Sequence, residues 1–161
     1  MPLLKNGVEV EDGFASVGDD AALPDGAVIV SLARFLAERE TLLGRNRPLG
    51  VRLAAEQSPE ALAGDLDRLA LVELHFAKFR DGRAFSWARM LRTRFGFAGE
   101  IRVSGDYLYD QIAFLRRVGV DAFVLPAGLT PALFARAAAE FSQVYQPSAD
   151  GRATIAQLRQ G

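Results

Sequence analysis

From Gly26 onward, short β-rich runs alternate with segments of helical spacing, and this alternation constrains the fold more than any other feature of the chain. Ala27–Val30, Leu49–Ala54, Leu69–Phe76, Glu100–Gly105 and Ala122–Leu125 read as strands. Ser31 caps a helix running to Leu43, which Gly44 ends. Ser58-Pro59-Glu60 places a capping side chain, a proline and an acid in the order that starts another. Ala84, Trp87, Ala88, Leu91 and Phe95 form an apolar helical stripe opposite Arg89, Arg92 and Thr93. Asp106 starts a helix over Tyr107–Val118. Thr130-Pro131 opens a last one, with a Phe134, Ala137, Ala138, Phe141 and Tyr145 stripe stopped by Pro147. Strands alternating with helices imply parallel crossovers. The expected fold is a single α/β domain of about five mainly parallel strands, either an open sheet or half of a β/α-barrel. In both, ligands bind at the C-terminal strand ends.

A length of 161 residues fits one domain and suffices for a core without disulfide or metal staples. The expected organisation is an acidic N-terminal arm over 1–25, the α/β domain over 26–147 and a C-terminal tail over 148–161. Six acids face one base, Lys5, in residues 1–26, whereas seven bases face Asp81 and Glu100 in residues 78–102. An acidic arm beside a basic centre can pair within the chain or between protomers, or remain two solvated patches. The absence of cysteine excludes disulfides, thiol catalysis, cysteine-ligated zinc and iron–sulfur clusters. A single histidine, His75, excludes a multi-histidine metal site within one chain. Net charge of −1 argues against nucleic acid as a partner. No signal peptide and no run of about 18 apolar residues is present, so a cytoplasmic protein without a membrane partner is expected.

Three places carry candidate chemistry. After the third expected strand, Asp81-Gly82 is a tight-turn signal with Gly82 free to take positive φ; Arg83 and Ser86 then stand at a helix start. Amides, a hydroxyl and a guanidinium gathered there suit a small anion, although a turn and a helix cap account for the same residues. After the fourth strand, Asp106 is a cap or a ligand contact, and Gln111 lies about one turn further on. Glu73 and His75, two apart on one strand, share a face and could form an acid and proton-shuttle pair or mark a less buried face. Nucleotide-binding glycine motifs are absent from the sequence.

The stretch Phe79-Arg-Asp-Gly-Arg-Ala-Phe-Ser86, Ala88-Arg-Met-Leu-Arg92, Arg94–Arg102, Gly105-Asp106, Asp110-Gln111 and Arg117–Phe123 resembles an uncharacterised bacterial family labelled as an oxidoreductase involved in sulfite reduction. The chain departs from that family's pattern at Ala77, where proline is expected, and at Ala84, where glycine is usual; His75 lies outside the pattern. The resemblance implies a cytoplasmic protein working beside the enzymes of sulfate assimilation, with sulfite reductase or its electron donor as the implied partner. Without thiolates of its own, such a protein assists a partner or borrows an organic cofactor. No cofactor is expected, with flavin the alternative. The expected sites are a ligand set of Asp81, Gly82, Arg83, Ser86, Asp106 and Gln111 and a docking pair of Arg89 and Arg92, on a chain expected to form a homodimer. Whether it is an enzyme is left open: the alternative to an accessory protein is a small-anion-binding or flavin-dependent enzyme.

Overall fold

The computed structural model describes residues 2–78 and 82–140. Eight strands form one sheet: β1 (Leu3–Lys5), β2 (Val8–Val10), β3 (Ala15–Ser16), β4 (Val28–Ser31), β5 (Leu49–Leu53), β6 (Leu71–Phe76), β7 (Glu100–Gly105) and β8 (Ala122–Val124). Their order is β2-β1-β8-β7-β6-β5-β4-β3. The pairs from β3 to β8 are parallel, and β1 is antiparallel to both β8 and β2. The fold is therefore mixed α/β and mostly parallel, with eight strands instead of about five. All three additional strands come from the first 25 residues, which were expected to form an arm.

Each parallel strand adds beside its predecessor in chain order, so crossovers of one hand bring the helices to one face of the sheet. The helices are α1 (Leu32–Ala37), α2 (Arg39–Leu43), α3 (Arg83–Arg89), α4 (Ile112–Arg117) and α5 (Pro131–Glu140). The strand residues Val28, Val30, Val51, Leu53, Val72, Leu74, Phe76, Ile101, Val103 and Phe123 join the helix residues Phe35, Leu42, Ala88, Leu91, Ile112, Leu115 and Phe134 in one core. Edge-on ring contacts of Phe76 with Phe85 and of Phe123 with Phe134 fasten α3 and α5 to that face.

The opposite face is enclosed by curvature. A flat sheet of eight strands would separate β2 from β3 by seven spacings, about 34 Å. The chain from Val10 to Ala15 spans about 18 Å at full stretch. The sheet must therefore curl to bring its edges together, giving the half-barrel observed. Residues 11–14 cross the concave side as a strap.

Local sequence explains most elements, and three expectations change, the first being that the helix expected from Ser31 to Leu43 is interrupted at Glu38 into α1 and α2. Ser31 caps α1 as expected, accepting from the Arg34 amide at 3.1 Å. Ser58 likewise accepts from the Glu60 amide, but only two 3₁₀ turns follow, Pro59–Leu62 and Leu66–Arg68, with Gly64 between them. The helix expected from Tyr107 starts later: a 3₁₀ turn at Tyr109–Gln111 leads into α4, and Gln111 Oε1, not Asp106, accepts from the Leu108 amide at 2.7 Å. Beyond α3, Met90–Arg94 form a π turn. Phe141, Tyr145, Pro147 and the expected tail lie outside the described residues.

Candidate functional site

Side chains alternate along each strand, so the face turned away from the helices collects one parity of residues. Register aligns Ser31, Arg52, Glu73 and Arg102 on one rung, and His75 with Ser104 on the next. Charged and hydroxyl groups fill both. Arg52 pairs with Glu73 through Nε and donates from Nη2 to Ser16 Oγ at 2.7 Å. Arg102 donates from Nε to Glu100 at 2.8 Å and from Nη1 to Asp12 of the strap at 2.9 Å. Its guanidinium also lies 5.7 Å from the Phe14 ring. Lys5 reaches the second oxygen of Glu100 at 3.2 Å. Only 3% of the Arg102 side chain and 4% of that of Glu73 is exposed, so each charge needs its partner there.

Glu73 and His75 do share a face, but they have different partners. Glu73 serves Arg52, and His75 Nδ1 lies 3.0 Å from Ser104 Oγ. Gly105 permits the approach above them. Its φ is +89°, and a Cβ there would meet the Phe76 carbonyl oxygen at 2.1 Å and His75 Cε1 at 2.9 Å.

The expected ligand residues fall on α3 and on the segment after β7. Asp81 lies outside the described residues. Gly82 takes φ −84° rather than a positive value and leads directly into α3, which carries Arg83 and Ser86 on its exposed surface. Asp106 is exposed after β7, lining a shallow cleft of about 260 Å³ with Tyr107–Tyr109 and the Pro126–Leu129 segment after β8. That cleft contains none of Gly82, Arg83, Ser86 and Gln111. Beneath it, the Tyr107 hydroxyl donates to the Val124 carbonyl at 2.8 Å, and burial pushes its pKa upward.

The two expected docking arginines part company. Arg89 is exposed on α3. Arg92 turns inward from the π turn and donates to the carbonyls of Phe97, Gly99 and Gly119 at 2.7–3.1 Å, and to Asp121 at 3.3 Å. Asp121 also accepts from the Ile101 amide at 2.9 Å; burial raises its pKa, against the opposing pull of Arg92 and that amide. At the start of α2, Arg39 donates from Nε to Asp65 at 2.8 Å and holds that carboxyl below its ordinary range.

Arg52, Arg102, Ser104 and Asp12 were missed as site residues. The signal was present as a period of two: Glu73 and His75 on one strand, and Glu100, Arg102 and Ser104 on the next. No group of three or more His, Asp or Glu suited to a metal ion occurs among the described residues. No helix among them is long and apolar enough to cross a membrane.

These features define an α/β half-barrel whose concave face is an internally paired charge ladder under its own N-terminal strap. The chain belongs to the family described as bacterial protein of unknown function (DUF934), whose model matches residues 50–156. No curated protein matches it.

Proposed function

We propose that this protein is a cytoplasmic accessory factor of assimilatory sulfite reduction, acting by contact with a partner enzyme. The observation that carries the accessory reading is the concave face. On that face Arg52, Glu73, Glu100 and Arg102 engage one another and the strap, so these charges are paired within the chain. The sulfur pathway enters through the resemblance of residues 79–123, and sulfite reductase or its electron donor is the partner it suggests. Arg89, exposed on α3 within a basic stretch, supports docking to an acidic surface.

Capture of sulfite reductase or its electron donor by the immobilised protein tests this reading, with Arg89→Glu alongside. Weaker capture by the variant, with the salt sensitivity of the native complex diminished, is expected. Equal capture by both proteins, or capture of neither candidate, would contradict docking through this surface.

A further inference from the structure

The concave face has an unusual charge balance. Its strand-borne bases are Lys5, Arg52 and Arg102, and its strand-borne acids are Glu73 and Glu100, leaving one positive charge over. The counter-ion on Arg102 Nη1 is Asp12, which belongs to the strap, while Asp19 accepts from Ser31 Oγ on the same rung at 2.6 Å. Asp12 is far more exposed than the arginine it pairs with. The Asp12 side chain is 40% exposed and Gly13 is exposed, whereas the Arg102 side chain beneath is 3% exposed. A half-exposed carboxylate thus neutralises a buried guanidinium from outside the sheet. A carboxylate so placed occupies the position a ligand oxyanion would take.

The next rung supplies further recognition. Ser104 and His75 stand two residues beyond Arg102 and Glu73 on the same face, about 7 Å along the strands. A small anion contacting Arg102 would have the Ser104 hydroxyl and the His75 imidazole toward the C-terminal strand ends. We propose that the concave face is a binding site for a small oxyanion of the sulfate, sulfite and phosphate class, and that Asp12 competes with the ligand for Arg102. Displacement of Asp12 couples occupancy to the strap joining β2 to β3. This site differs from the expected set around Arg83 and Asp106, and it stands or falls independently of the sulfur-pathway reading.

His75 is the chain's only histidine, so its imidazole Cε1–H proton is a single NMR reporter beside the proposed site. Asp12→Asn removes the competing charge and retains the side-chain oxygen that accepts from the Phe14 amide at 3.0 Å. Each protein is titrated with sulfate and, separately, phosphate, with chloride holding ionic strength constant. A saturable shift of the His75 proton is expected at about tenfold lower anion concentration in Asp12→Asn than in the native chain. Adding Arg102→Lys, which keeps the charge and loses the planar fork, should weaken that binding again in a variant whose spectrum remains dispersed. Equal titrations for the native chain and Asp12→Asn would overturn the competition. The absence of saturation in Asp12→Asn, or binding unaffected by Arg102→Lys, would overturn the site.

Discussion

Arg92 shows how one side chain can fix a local fold. Its guanidinium ties the π turn to the carbonyls of Phe97, Gly99 and Gly119, and so to the strand starts of β7 and β8. Arg92→Ala would leave several partly buried carbonyls without a donor, and a loss of about 3 kcal/mol is expected from the desolvation cost of such groups. Thermal unfolding should register it as a drop of roughly 6–12 °C for a chain of this size. Two carboxyls then set opposite pH trends. Asp65 has a lowered pKa in the fold, so its stabilisation is full above its unfolded value and disappears as pH falls through the folded value. Asp121 has a raised pKa, so its contribution becomes unfavourable as pH rises from the unfolded value through the folded one. Denaturant melts against pH should show Asp65→Asn flattening the acid limb below the ordinary carboxylate range. Asp121→Asn should instead remove a fall in stability just above that range.

At the scale of elements, the ladder is asymmetric. The Arg52 side chain is 33% exposed and its partner Glu73 only 4%. Arg52→Ala therefore strands a buried carboxylate and should cost about 3–5 kcal/mol, whereas Glu73→Ala leaves an arginine able to reach water and should cost less. Chemical denaturation of the two variants checks the order, and a reversed order would contradict the inward placement of Glu73. The parallel strands were legible because β4 to β8 carry apolar residues on the helix-facing parity. The polar parity was equally written at Arg52, Glu73, His75, Arg102 and Ser104, but charge in strands is easily taken for exposure. Curvature reverses that inference: a charged face turned inward is satisfied by its own pairs and by the strap. The N-terminal strands were missed because they are two or three residues long. Yet Asn6-Gly7, with φ of +53° and +83°, is the two-residue hairpin turn that joins β1 to β2, and its dipeptide was a readable signal.

For the whole molecule, sheet closure explains what charge composition left open. The acidic N-terminal segment pairs within the chain where Asp12 meets Arg102, a residue of the basic 78–102 stretch. That stretch divides by position: Arg92 and Arg102 face inward, and Arg89 remains on the surface. The grouping of the residues around Asp81 and Asp106 depends on how β6, β7 and β8 end. Spacing along the chain carries no such information. The accessory role is tested most directly by growth of a deletion strain on sulfate, sulfite, sulfide or cysteine as sole sulfur source. The account predicts growth on sulfide and cysteine but not on sulfate or sulfite, restored by the native gene. Undiminished growth on all four sources would contradict it.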